Sequence, residues 1–311
     1  MIFDALPPLQ VHPVAYPLLE VCAWLIGSGY VFIIILGLIR RPDAATYKND
    51  WIRLTVMFAI GLANVILGAL GPLGLVGGAA VVTFLAWREL LDCVRTRFGD
   101  APSGRWLPAI AALSIAFAVT GDAFAALLGI ACAAWIGATG PMLLTGKPVP
   151  MATMMSIGLG SVLVSVPIAH VILLVDLNFG VFALLVVLIN CLDGFSAGFG
   201  RLLGKHPLCP QISPGKTVEG ALGGLFSCIL VGYLASFLVP EWSPLEMAIA
   251  SSLVAIFALL GDLVASSLKR EAGIKDFSQA LPGMGGILDR FDGLLFSAPV
   301  LYAYVRLTGA M

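Results

Sequence analysis

Apolar runs recur along the whole chain, each closed by a short polar stretch. They fall at about 16–39, 53–70, 72–87, 106–120, 123–145, 150–174, 178–199, 218–239, 246–268 and 289–309. A helix of roughly 20 apolar residues is long enough to cross the hydrocarbon of a bilayer. The pattern therefore predicts an all-α fold, a polytopic integral membrane helical bundle of about nine to ten transmembrane helices. The pair at 106–145 decides between nine and ten, because Gly121-Asp122 reads either as a break between helices or as a kink within one.

Composition agrees with the pattern. Of the 311 residues 59% are hydrophobic and 11% charged, and the mean hydropathy is +1.01. Soluble domains carry roughly 25% charged residues. The net charge of −1 gives no footprint for nucleic acid. The six cysteines form no CxxC pair and read as small buried hydrophobes. No Lys or Arg precedes Arg40, so the first run reads as a retained helix and not as a cleaved leader.

The polar connections sort by charge. Segments 40–53, 88–105, 146–149, 200–217 and 269–290 hold every Lys and Arg except Arg306. Segments 71, 121–122, 175–177 and 240–245 hold Asp122, Asp176 and Glu241 but no Lys or Arg. The two sets alternate under ten spans, which puts the basic set on the cytoplasmic side and both termini outside. With no separate soluble domain, chemistry is expected at the cytoplasmic membrane surface. The chain divides into N-terminal transmembrane helices acting as scaffold (1–145) and a C-terminal catalytic region (146–311) with loops 200–217 and 269–290.

The first half is plain. "RELLDCVRTRFGDAPSGR" looks like a solvated loop, and nothing in the sequence marks Glu89 for chemistry. The second half differs in three places. The first is "NCLDGFSAGFGRLLGKHPLCPQISPGKTVEGALGG", where Asp193 lies inside an apolar run. An ionisable group there faces a cavity or a partner by default. The small residues at 194–200 suit either close helix packing or a helix break. The following loop offers Arg201, Lys205, His206 and Lys216. Its "SPGKT" is no Walker loop, because Pro210 stands where the first glycine belongs and no apolar strand precedes it. Ser213 or Pro214 at a helix start, with free N–H groups and Lys216, still suits an anion. His206 reads as an ordinary loop residue.

The second place is "ALLGDLVASSLKR". On a helix Asp262, Ser266 and Lys269 fall at i, i+4 and i+7, within about 60° of one another. The third is 266–292, "SSLKREAGIKDFSQALPGMGGILDRFD", with Asp289 and Asp292 opening the last run on either side of Arg290. Carboxylates at a helix start also suit the helix dipole. Asp262, Asp276, Asp289 and Asp292 stand beside Lys216, Lys269, Arg270, Lys275 and Arg290. Oxygen ligands without a His or Cys cluster point to a hard cation, Mg²⁺ in preference to Zn²⁺. Carboxylate-held Mg²⁺ beside Lys and Arg is a means of holding polyphosphate.

These residues resemble the phosphatidate cytidylyltransferases, or CDP-diacylglycerol synthases. The family's C-terminal signature is matched at Ser266, Lys269-Arg270, Lys275-Asp276, Pro282, Gly285-Gly286, Asp289-Arg290 and Asp292, with every spacing kept. "ISPGKTVEGALGG" and "LDGFSAGFGRLLGKH" resemble two further segments, so the likeness covers about 185–305. Met284 replaces the signature His and Val218 the usual Trp. The resemblance implies that CTP and phosphatidate become CDP-diacylglycerol and pyrophosphate, in phospholipid biosynthesis. It implies Asp262 and Asp289 as metal ligands, with Asp292 and Asp276 as further candidates, for Mg²⁺ and a possible second cation. It implies Ser266 and Lys269 at phosphate. Arg201, Ser213, Lys216, Arg270, Lys275, Arg290 and Asp193 become candidates for binding or positioning substrate. It further implies a bilayer-embedded enzyme of a bacterial inner membrane, with its site facing the cytoplasm and room for a homodimer.

Other classes remain open on the sequence. Intramembrane Asp193 and Asp262 with glycine-rich helices suit an ion-coupled transporter, although a carrier needs no dense charged loop on one side. "DGFSAG" resembles the opening of CDP-alcohol phosphotransferases, but Gly198 and Asn190 stand where that motif wants Arg and Asp. Met284 leaves room for a paralogue with altered substrate.

Overall fold

The computed structural model describes residues 71–99, 107–146, 148–281 and 285–309, with isolated positions between 34 and 67. The runs at 16–39 and 53–70, and Pro282 and Met284 of the signature, lie outside the described residues or largely so. Among the described residues the chain forms eight α-helices and one small hairpin. The helices are α1 (Gly71–Phe98), α2 (Leu107–Ala118), α3 (Ala123–Thr145), α4 (Met151–Leu177), α5 (Phe179–Leu203), α6 (Val218–Leu234), α7 (Pro244–Glu271) and α8 (Leu288–Thr308). Between α5 and α6, β1 (Pro207–Cys209) pairs antiparallel with β2 (Ser213–Thr217). The protein is an all-α polytopic membrane protein. Among the described residues α3, α4, α5 and α7 are long and apolar enough to cross a bilayer, and α6 is a shorter apolar helix.

The helix ends follow local chemistry. Gly121 adopts φ +75°, a left-handed turn that separates α2 from α3. Asp122 then caps α3, its carboxylate accepting from Phe124 N–H at 3.0 Å. The 106–145 segment is thus two helices, as ten runs require. Asn178 caps α5 in the same way, at 2.7 Å from Gly180 N–H. Ser243 and Glu246 form a reciprocal capping box at the start of α7, with Pro244 in the first turn. Inside α4, residues Ser161–Ser165 widen into a π-helical turn. Trp87 of α1 packs on Gly160 there and donates its indole N–H to Ser165 Oγ at 3.1 Å.

Two boundaries differ from the sequence expectation. Helix α1 does not stop near residue 87 but runs to Phe98, because Leu90, Leu91, Cys93 and Val94 continue its buried face. The loop 200–217 begins as the last turn of α5 and then forms the hairpin, so neither Ser213 nor Pro214 starts a helix. Helix α6 starts at Val218, and Thr217 caps it by accepting from Gly220 N–H at 3.1 Å.

Helix α5 is the centre of the core, with Val181 through Leu188 almost fully buried. In lipid, apolar side chains gain little by leaving one apolar solvent for another, so close contact decides helix pairing. The α5–α6 and α7–α8 pairs show this. A Cβ on Gly220 of α6 would lie 2.7 Å from the Ser196 carbonyl of α5, and one on Gly261 of α7 would lie 2.6 Å from the Asp292 carbonyl of α8. Ser196 and Gly200 therefore serve close packing, and α5 is unbroken through 194–200. The α7–α8 crossing brings residues 258–262 against residues 292–296, which places two of the unusual carboxylates on neighbouring helices.

Candidate active site

The charged residues gather where α5, α7 and α8 end on their basic side. Helix α7 contributes the predicted stripe. Ser266 Oγ donates to Asp262 Oδ1 at 3.2 Å, and the hairpin's Lys216 pairs with Asp262 Oδ2. Lys269, one turn further, is buried and turns away from Asp262. Its ammonium meets Asp289 Oδ1 of α8 at 2.5 Å and lies over the Phe277 ring, 5.4 Å from the centroid. The stripe thus divides between two carboxylates on different helices.

Asp289 is the more enclosed of the two. Besides Lys269, its Oδ2 accepts from Phe277 N–H at 2.9 Å and Gly286 N–H at 2.8 Å. A buried carboxylate needs such donors. They also explain Gly285, whose φ of +87° no L side chain adopts easily and whose Cβ would come 2.7 Å from Asp289 Oδ2.

A second group lies beside the first. Asp193 of α5 and Asp292 of α8 both feel the charges of Asp262 and Arg290, and Asp193 also that of Lys216. Among the described residues, Arg290 Nε is buried without a hydrogen-bond partner. Arg290, Asp193 and Asn190 line a cleft whose other walls are Ile60, Val186, Ile189, Phe291 and Leu294. Its lining thus combines three polar or charged side chains with five apolar ones.

The remaining predicted residues sit around these groups. Arg270 donates to two backbone carbonyls, Ile212 at 3.1 Å and Ile274 at 3.3 Å, and so ties the hairpin to the loop after α7. Asp276 accepts from Gln279 at 3.4 Å. Lys275 is exposed in the same loop, and Arg201 is exposed at the last turn of α5. Ser213 is half-buried at the start of β2. His206 pairs with Glu219 at 2.6 Å on the outside of the hairpin, which fits a loop residue.

The donor set fits a hard cation. Asp262, Asp292 and Asp193 share one neighbourhood in which Lys216 and Arg290 offset only part of the negative charge. Among the described residues, no three His, Cys, Asp or Glu side chains converge into a ready-made metal cage. One or two carboxylates completed by substrate phosphates is the usual manner of holding Mg²⁺.

Sequence reasoning missed one residue of this region. Glu89 of α1 is buried, and its carboxylate accepts from Ser278 Oγ at 2.6 Å, Ile287 N–H at 2.9 Å and Leu288 N–H at 2.7 Å. Cys93 and Arg97 follow it on the same helical face. Cys93 Sγ approaches the Leu268 carbonyl at 3.9 Å, and Arg97 pairs with Glu271 at 2.8 Å. Burial pushes the Cys93 thiol above its ordinary range; Lys269 opposes the rise and Asp289 adds to it. The apolar positions at Leu90, Leu91 and Val94 were the available sign that α1, and Glu89 with it, continues into the protein.

The chain is similar to known proteins over part of its length. A phosphatidate cytidylyltransferase of Staphylococcus haemolyticus (strain JCSC1435) is 44% identical over 126 residues, 40% of this chain and 48% of that protein. One from Staphylococcus aureus (strain COL) is 48% identical over 107 residues, 33% of this chain and 40% of that protein. The uncharacterized protein YnbB of Escherichia coli (strain K12) is 38% identical over 108 residues, 35% of this chain and 36% of YnbB. The chain thus spans less than half the length of each of these relatives. The model of the cytidylyltransferase family, in contrast, matches residues 51–308. The chain belongs to the cytidylyltransferase family.

Proposed function

We propose that the protein transfers the cytidylyl group of CTP to phosphatidate, releasing pyrophosphate and forming CDP-diacylglycerol, in a bacterial inner membrane with its site facing the cytoplasm. The observation that carries this reading is the placement of a carboxylate and cation cluster at the basic ends of apolar helices. Lys216 and Asp262 lie on its polar side, and the half-apolar cleft of Asn190, Asp193 and Arg290 opens beside it. Such a site serves one substrate in water and one in lipid.

The reaction needs little from the protein beyond positioning and charge. A phosphatidate oxygen forms a bond to the α-phosphorus of CTP. The bond from that phosphorus to the α–β bridging oxygen breaks, and pyrophosphate leaves with its electron pair. The lipid phosphate is already ionised near neutral pH, so no general base is required and Met284 in place of the signature His is tolerated. Lys216, Lys275 and Arg201 offset the triphosphate charge, with Ser213 beside them and Arg270 holding the hairpin to the loop. Arg290 faces the lipid phosphate. Lys269, aligned by Asp289, and Ser266, aligned on Asp262, contact phosphate oxygens. Asp262 would hold Mg²⁺, with Asp292 taking the place expected of Asp289, whose oxygens already serve Lys269 and two N–H groups; Asp276 and Asp289 are the further carboxylates of the site. The metal, when bound, neutralises phosphate charge that would repel the attacking oxygen.

The test is direct. Protein purified in detergent receives CTP, Mg²⁺ and phosphatidic acid, and pyrophosphate and CDP-diacylglycerol are measured together. Both products are expected in equal amounts. Asp262→Asn lowers kcat/KM by about a hundredfold or more, as loss of a central electrostatic contact does. Absence of both products beside an active control synthase sinks the reading. Full activity of the Asp262→Asn protein sinks the site assignment alone.

A further inference from the structure

We infer that Glu89, on a helix of the N-terminal half, is a positioning residue for the reaction, because it clips the signature loop that aims Asp289 and Lys269. This rests on the proposed function for its kinetic consequence, though not for the placement itself.

The loop between α7 and α8 is held from two sides by two buried carboxylates. Asp289 takes the N–H groups of Phe277 and Gly286. Glu89 takes the Ser278 hydroxyl and the N–H groups of Ile287 and Leu288. The donors interleave at adjacent positions: 277 and 278 where the loop enters, 286 and 287 where it leaves. Neither carboxylate can shift without moving the backbone that the other holds. Among the described residues, helix α8 has no side-chain cap of its own at Ile287. Glu89 therefore supplies, from another helix, the acceptor that a helix start requires, and its negative charge suits that end of the dipole.

The two signature glycines divide between the two carboxylates. A Cβ on Gly285 would strike Asp289, and one on Gly286 would come 2.5 Å from Glu89 Oε2. The Gly-Gly pair is thus the imprint of two acids, one from α8 and one from α1. Cys93 and Arg97 show that this face of α1 keeps contact with the end of α7 over two further turns. A carboxylate so enclosed and so fully used by one loop is placed to hold that loop. Asp289 is the next residue after Leu288, so loosening Leu288 N–H loosens the partner of Lys269.

The experiment uses the full chain in detergent, with Glu89→Gln, Ser278→Ala, Gly286→Ala, Glu89→Asp and the double variant Glu89→Asp/Gly286→Ala. Amide hydrogen exchange is followed in 277–288 and, as an internal reference, in the hairpin 205–217. Kinetics with CTP, Mg²⁺ and phosphatidic acid are measured alongside. Faster exchange confined to 277–288 is expected in Glu89→Gln and, more weakly, in Ser278→Ala. The kcat of Glu89→Gln falls by about tenfold to a hundredfold, the scale of a small misplacement of catalytic groups, while KM for CTP stays near wild type. Glu89→Asp is shorter by one methylene, so Gly286→Ala lowers kcat less in that background than alone. Unchanged exchange at 277–288, loosening spread equally over the reference peptide, wild-type kcat in Glu89→Gln, or additive effects in the double variant each overturn the inference. Should the wild-type protein form no CDP-diacylglycerol, the functional reading falls, and the exchange data still decide whether Glu89 holds the loop.

Discussion

Lys269 and Asp289 form a buried ion pair at the point where the signature begins and ends. Burying both charges is favourable only because each has further partners: the Phe277 ring for the ammonium and two N–H groups for the carboxylate. Removing one partner strands the other. Asp289→Asn and Lys269→Met are each expected to lower stability by about 3–5 kcal/mol, read as a fall in thermal midpoint in detergent. The double variant Asp289→Asn/Lys269→Met, whose amide oxygen still accepts from Phe277 and Gly286 N–H, recovers much of that loss, yet stays inactive. A double variant no more stable than either single one would mean that the pair is not a unit. At this scale the sequence showed the carboxylates and cations but not their pairing. Helical spacing put Lys269 on the stripe of Asp262, and the structure turns it to Asp289. Glu89 was illegible for a related reason. Besides the Ser278 hydroxyl, its partners are two backbone N–H groups far along the chain, and backbone donors leave no mark on a sequence.

Among the elements, the α5–α6 pair shows how glycine sets the geometry of the site. Gly220 faces the Ser196 carbonyl at contact distance, whereas Gly194, on α5, has open space beside it. Gly→Ala normally favours a helix by about 1 kcal/mol. Gly194→Ala is therefore expected to be neutral or stabilising. Gly220→Ala pushes α6 and the hairpin from α5 and lowers stability by about 1–3 kcal/mol, as overpacking does. Thermal midpoints of the two variants check this, and equal midpoints would remove close packing as the reason for the glycines. Element boundaries were legible where local chemistry fixes them. The Gly121-Asp122 break and the capping box at Ser243 are both written in neighbouring residues. The hairpin at 207–217 was not legible, because Pro207, Pro210 and Pro214 argue for irregular loop and only its packing against α5 and α6 makes short strands of it.

For the whole molecule, apolar length disclosed the all-α membrane architecture, and the signature disclosed the family. Neither disclosed that the two halves meet at the signature loop. A division into scaffold and catalytic region follows from where the unusual residues cluster along the chain. In the fold one face of α1 runs beside the loop that carries the signature and the end of α7, through Glu89, Cys93 and Arg97.

That contact bears on how freely such enzymes can exchange parts. If the C-terminal half were self-sufficient, recombination near residue 146 could join it to the front end of any family member. With the loop clipped from α1, a chimera carrying residues 146–311 of this chain is active only when its donor places a carboxylate at the register of Glu89. Complementation of a strain lacking its own synthase would sort such chimeras. Those from donors without the acid are expected to fail, and to recover when it is restored by a single substitution. Seen this way, Glu89 is a point of compatibility between two gene segments, one that selection must keep matched on both sides of the crossover.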